Sequence, residues 1–199
     1  MERNDTKRWN IKHGAEAGPG EPAAFLRQLI ESGSWSIPQG RAFDVAAGTG
    51  RNALYLAARG FDVDAVDLSE TGLATGHTAA VNRGLTVNFI QLDLANAVFP
   101  QAAYDLIVNF NFLDRSLVPK LKGALKGGGR VIFETFLIDQ RSLGHPNNPA
   151  YLLGHNELLE LFREFRVLYY REGKFRDGET DSFRAGLLAE KPSALPIGT

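Results

Sequence analysis

Apolar and polar positions recur along this chain with two spacings, and the switches between them divide it into elements. Phe25, Leu26, Leu29 and Ile30 fall at helical spacing behind Pro22, and Gly33 closes that stretch, which predicts a helix. An apolar run from Phe43 predicts a strand, and N-A-L-Y-L-A-A-R-G predicts a helix starting near Asn52 and stopped by Gly60. F-D-V-D-A-V-D alternates and predicts a second strand ending on Asp67. Ser69 is a good N-cap, with Glu70 in the first turn, for a helix that runs through Ala74, Ala80 and Val81 to Gly84. Val87 to Leu94 predicts a third strand with Asp93 at its C-terminal end. Tyr104 to Phe112 is nearly continuous in apolar residues and predicts a central fourth strand. Leu117 to Leu125 predicts a helix, the glycines at 127–129 a turn, and R-V-I-F-E-T-F a fifth strand.

Strands alternating with helices predict an α/β fold, a parallel sheet with helices on both faces. Residues 137–154 carry two prolines and His145 without periodicity, and at that length they are either a functional loop or floppy. Asn156 is placed to cap a helix that buries Leu158, Leu159, Leu161 and Phe162. R-V-L-Y-Y-R-E-G and S-F-R-A-G-L-L-A-E-K are strand-like, and the link between them is too short for a crossover helix. They are therefore antiparallel. The expected organisation is a mobile N-terminal arm over residues 1–20, a single domain over 21–192 and a tail over 193–199. Trp9, the one large apolar group in the arm, either closes over a ligand or packs on the core.

Composition narrows the function. With 199 residues and 44% hydrophobic content the chain can bury one good core. Twenty-two basic and 23 acidic residues leave a formal charge of −1, and no basic patch follows a phosphate backbone, so nucleic acid is not an expected partner. The absence of cysteine excludes disulfides, thiolate metal sites and a cysteine nucleophile. No metal-ligand spacing is present. There is no signal-peptide core and no apolar run long enough to cross a bilayer, so a cytoplasmic location with no membrane partner is expected, as a monomer or homodimer.

The candidate chemistry lies in F-D-V-A-A-G-T-G-R-N, residues 43–52. Gly48 and Gly50 leave no side chain between backbone and ligand, and they allow dihedrals that other residues resist. An acid ending the second strand, Asp67, can accept hydrogen bonds from both hydroxyls of a ribose. This is a nucleoside-binding βαβ unit. G-T-G-R-N-A also fits the dinucleotide fingerprint. Two features favour S-adenosylmethionine over NAD: Asp44 stands before the glycines with only Arg51 as a basic residue, and about 200 residues leave little room for a dehydrogenase's catalytic domain.

D-V-A-A-G-T-G followed by V-D-L-S resembles motifs I and II of the class I S-adenosylmethionine-dependent methyltransferases. L-K-G-G-G-R, Y-L-L-G-H-N-E-L-L-E-L-F and the W-N-x-K at Trp9 resemble the tellurite-resistance, TehB-like branch of small-molecule methyltransferases. That branch commonly carries an aromatic residue where His13 stands. The resemblance implies a Rossmann-like, doubly wound, mostly parallel seven-stranded sheet ending in the antiparallel hairpin. Ala46 occupies a position where glycine is common, a change expected to be easy at a strand end. The resemblance further implies that Asp67 binds the ribose hydroxyls and Asp93 the adenine amino group, with Leu68 and Leu94 on the ring. Gly48 and Gly50 would pass under the methionine part and Asn109 would offer its carbonyl. Asp44, Ala46, Arg51, Asn52, Ser69, Phe110 and Trp9 complete the expected cofactor site, with S-adenosylhomocysteine as product. Asp93 also fits a capping acid, and Asn109 a strand-end turn former.

Methyl transfer from a sulfonium needs donor and nucleophile held in line and dry. Aromatic faces near the sulfonium help, and Trp9, Phe110, Phe112, Phe136 and Tyr151 are candidates. A hydroxyl or amine acceptor needs a base, for which His145 is the candidate, while His77 reads as structural; a thiolate, halide or chalcogen oxyanion does not. Arg184 stands where the branch places an arginine toward an anionic substrate, and Arg115 and Arg176 read as surface cations. The branch's histidine beside an arginine is replaced here by K-F-R-D. The expected function is methyl transfer to a small-molecule acceptor; the alternatives are a macromolecular methyltransferase and a non-catalytic S-adenosylmethionine-binding module.

Overall fold

The computed structural model of the chain describes residues 3–14, 18–177 and 180–193. The elements are α1 (Arg3–Gly14), α2 (Ala24–Glu31), β1 (Arg41–Val45), α3 (Arg51–Ala57), β2 (Asp62–Asp67), α4 (Glu70–Asn82), β3 (Asn88–Gln91), β4 (Tyr104–Phe110), α5 (Val118–Ala124), β5 (Leu125–Phe136), α6 (Glu157–Leu161), β6 (Arg166–Asp177) and β7 (Thr180–Glu190), and from α2 onward they follow the predicted order. The strands form one seven-stranded sheet in the order β3-β2-β1-β4-β5-β7-β6. The first five are parallel, and β7 runs antiparallel between β5 and β6. β4 is central, as its continuous apolar run requires. The strand order reverses between β1 and β4, which opens a crevice at their carboxyl ends.

Strand alternation sends neighbouring residues to opposite faces, so the sheet carries two cores. Phe43, Val45, Ile107, Val131 and Phe133 pack with Leu117 and Leu121 of the α5 region and Leu158 and Phe162 of the α6 region. Ala42, Leu106, Val108, Ile132 and Leu188 pack with Phe25, Leu26 and Leu29 of α2 and Ala53 and Leu56 of α3. The acid in the middle of β2, Asp64, is buried but fully partnered: Arg41, Tyr104 and Asn88 all donate to its carboxylate. It is structural.

Five expectations differ from the structure. The N-terminal arm expected to be mobile is a helix over Arg3–Gly14, which docks on α4. Its average polarity hid one buried side chain, His13, and one capping side chain, Asn10. The glycines at 127–129 are not a turn but part of β5, with Gly128 at φ 76° where the β4–β5 register shifts. β3 is shorter than the expected 87–94, because the chain leaves the sheet after Gln91. Asn156 makes no side-chain cap; it sits at φ 60° and its N–H donates to Glu172 Oε2 at 2.9 Å. Residues 137–154 fold into two 3₁₀ turns tied to the domain. Leu152 and Leu153 are buried, and Arg115 donates to the carbonyls of Ala150 and Leu152 while pairing with Glu157. The tail expected over 193–199 lies beyond the described residues except for Ser193.

Candidate functional site

The glycine turn leaves β1 through backbone that few residues adopt. Ala46, Gly48 and Gly50 have φ of 52°, 57° and 77°, all left-handed. The turn throws α3 back behind the sheet, and Asp44 holds it there by accepting the Ala53 N–H at 3.0 Å. Burial pushes the Asp44 carboxyl up to about 7, with the Ala53 amide and Arg51 opposing that rise. Asp67 closes the other side: Oδ2 accepts from Gly48 N and Oδ1 from Ser69 N, each at 2.8 Å. A carboxylate has about four lone-pair sites, so each oxygen keeps one for a ligand hydroxyl. Ser69 Oγ accepts the Gly72 N–H at 3.1 Å and caps α4 as expected.

Helix α4 approaches the turn so closely that it carries glycines there. A Cβ on Gly72 would stand 2.8 Å from the Gly48 carbonyl oxygen, and one on Gly76 2.9 Å from that of Thr49. Gly50 is in turn packed under Phe89 and Gly76, where its own Cβ would fall 2.7 Å from the Phe89 ring.

A cavity of about 870 Å³ lies over these groups at the carboxyl ends of β1, β2 and β4. Trp9, Ala46, Gly48, Arg51, Asn52, Asp67, Leu68, Asp93, Leu94 and Phe110, all expected at the site, line it. Asp44, Gly50, Ser69 and Asn109 do not. Asp44 and Ser69 are spent on helix N-termini, Gly50 on packing against α4, and Asn109 donates to the Phe112 carbonyl at 2.8 Å. Of the five aromatic candidates, Trp9, Phe110 and Phe112 reach the cavity. Tyr151 is 47% exposed elsewhere, and Phe136 lies under the Arg184 guanidinium.

His145 is exposed on the 3₁₀ segment and is not a lining residue, which removes the geometric basis for its role as base. Arg184 is not a lining residue either. Its Nη1 donates to Asn111 Oδ1 at 2.6 Å, and Asn111, at φ 59°, does line the cavity. Sequence reasoning missed Lys12, His13, Asn111 and Asp114 as lining residues. The only signal was the W-N-x-K run, whose helix is brought here by a tertiary contact. Asn10 Oδ1 accepts from Ser69 Oγ at 2.8 Å and from Thr71 N at 3.3 Å.

A family described as the methyltransferase domain matches residues 42–132, the span from β1 into β5 that carries the glycine turn, Asp67 and Asp93. The chain is 30% identical over 149 residues to a probable S-adenosylmethionine-dependent methyltransferase TehB of Haemophilus influenzae. Over these spans the chain is similar to S-adenosylmethionine-dependent methyltransferases. That match covers 71% of this chain and 51% of the relative, so the chain spans about half the relative's length. A probable thiol methyltransferase 2 of Arabidopsis thaliana is 28% identical over 158 residues, covering 73% of this chain and 69% of that protein. The crystal structure of TehB from Haemophilus influenzae shares the fold, with a TM-score of 0.72 at 23% identity over 94% of this chain and 66% of the other. The family's cofactor is S-adenosylmethionine, which leaves as S-adenosylhomocysteine. The lining fits it on structural grounds: a free acceptor face on Asp67, a second acid at Asp93, apolar Leu68 and Leu94, and a side-chain-free glycine turn share one cavity. Among the described residues no His, Cys, Asp or Glu cluster could hold a metal, and no helix is long and apolar enough to cross a membrane.

Proposed function

We propose that the chain is an S-adenosylmethionine-dependent methyltransferase acting on a small-molecule acceptor. The observation that carries this reading is the Asp67 carboxylate, fixed by two backbone amides beside the Gly48 turn and facing a cavity of about 870 Å³. In this reading Asp67 accepts the ribose hydroxyls, Asp93 the adenine amino group, and Leu68 and Leu94 face the ring. Bound cofactor supplies an electrophilic methyl group on a sulfonium. What the chain supplies is position and dryness, and alignment of this kind is worth about 7–11 kcal/mol of a barrier. Trp9, Phe110 and Phe112 line the cavity, and an aromatic face turned to a desolvated cation is worth about 1–2 kcal/mol.

A small acceptor is supported by the cavity's size, by the roof that α1 makes over it and by the thiol-methyltransferase relative. An acceptor that needs no base, such as a thiolate, agrees with the thiol-methyltransferase relative. Arg184 would act on an anionic acceptor only through Asn111, the lining residue to which it donates.

Calorimetric titration with S-adenosylhomocysteine, with NAD as control, tests the reading on the parent and on Asp67→Ala. The expected result is binding by the parent, loss of at least about a hundred-fold in the variant and no heat from NAD. A parent that binds neither nucleoside removes the reading.

A further inference from the structure

His13 lines the cavity, and the site described above leaves its chemistry unused. It is 6% exposed, and its Nδ1 is buried without a hydrogen-bond partner. The ring is clasped on several sides. Trp9 stacks on it with centroids 5.6 Å apart and 28° between planes. A Cβ on Gly48 would fall 3.1 Å from its Nε2, and one on Gly72 2.7 Å from its Nδ1. Two glycines therefore make the room that the imidazole occupies, and Asn10, one turn earlier on α1, fastens the helix to the start of α4. A phenyl ring would fill the same space without leaving a polar nitrogen unpaired. The unpaired Nδ1 faces Gly72 on α4, whereas Nε2 lies beside Gly48, a cavity-lining residue of the glycine turn, and is the nitrogen offered to a bound molecule.

Among the residues that contain S-adenosylmethionine in the proposed reading, Asp67 fixes the ribose beyond the end of β2. The amino-acid end must then extend along the glycine turn, beneath His13. Lys12, next to His13 on α1, and Arg51, just after the glycine turn, also line the cavity and are cations available to a carboxylate. We propose that His13 is a cofactor-binding residue that hydrogen-bonds the amino-acid end of the ligand, so that bound ligand completes the docking of α1. This rests on the proposed function.

The test uses the full-length chain and two probes: S-adenosylhomocysteine, which has the amino-acid end, and 5′-methylthioadenosine, which lacks it. His13→Phe keeps the ring and its stack on Trp9 but removes both nitrogens. The variant is expected to melt at or above the parent's temperature without ligand, to bind S-adenosylhomocysteine about ten-fold more weakly and to bind 5′-methylthioadenosine as the parent does. His13→Asn, which keeps a hydrogen-bonding group, is expected to bind S-adenosylhomocysteine more tightly than His13→Phe. Unchanged S-adenosylhomocysteine affinity in His13→Phe, or an equal loss for both probes, overturns the inference and leaves the ring a packing element. If the parent itself binds neither probe, it is the underlying function that fails, and the two failures are separate readings of one experiment.

Discussion

At the scale of single residues, the site holds two groups in states that ordinary folding disfavours. Ala46 stands at φ 52°, where a Cβ crowds the following carbonyl, so the ease expected of alanine at this strand end is not what the backbone allows. Ala46→Gly relieves that strain at the cost of a more flexible unfolded chain, and a net gain of about 1 kcal/mol is expected, read as a raised denaturation midpoint. A lowered midpoint would mean the alanine methyl packs better than it strains. Asp44 is the second group. Its native pKa, near 7 through burial, lies above the unfolded value, so the folded state holds a proton that the unfolded state has lost. Its contribution is therefore favourable at low pH and is lost as pH rises from about 4 to about 7. Asp44→Asn keeps an acceptor for the Ala53 N–H and does not ionise. Its stability relative to the parent should climb between pH 4 and pH 8 by up to about 4 kcal/mol. Parallel melting curves across that range would show that Asp44 ionises freely.

At the scale of elements, the contact that makes the cavity is α4 against the glycine turn. The helix keeps Gly72 and Gly76 in spite of their low helix propensity because the Gly48 and Thr49 carbonyls come within 3 Å of where their side chains would begin. Gly72→Ala should therefore lower stability by about 1–3 kcal/mol, although alanine is the better helix former. Because Gly72 also faces His13, S-adenosylhomocysteine affinity should fall with it. Thermal melting and titration read the two effects separately, and a variant more stable than the parent would show that α4 can slide aside. Both carboxylates near the turn lie in the last two positions of a β-strand, Asp44 one residue before the end of β1 and Asp67 at the end of β2. What separates their roles is direction: Asp44 faces the start of α3, and Asp67 faces the cavity.

At the scale of the whole molecule, the glycine turn, Asp67 and Phe110 gather at the carboxyl ends of the parallel strands, and the segment that leaves β5 at that same end does not line the cavity. Arg115 ties this segment down through two carbonyls and Glu157, whose carboxyl it holds below the usual range. Arg115→Ala should raise amide exchange and protease cleavage across residues 139–151, lower global stability by only about 1 kcal/mol and leave S-adenosylhomocysteine affinity unchanged. Weakened nucleoside binding in that variant would place the segment at the site after all.

The sequence alone determined the alternation of strands and helices, the central β4, the closing hairpin and the glycine turn with its acid at Asp67. Each depends on local periodicity, on residues that only a turn demands or on a link too short to cross over. It did not determine that residues 3–14 form a helix over the cavity, because that helix is placed by Asn10 on the start of α4 and by His13 between Gly48 and Gly72. It did not remove His145 or bring in Asn111, because a loop's position relative to a sheet edge follows from contacts such as those of Arg115 and Arg184, many residues apart in sequence. Local pattern fixes which backbone conformation a segment prefers. Which of its side chains meet one another is settled only when distant segments share one volume and each buried polar atom must find its partner there.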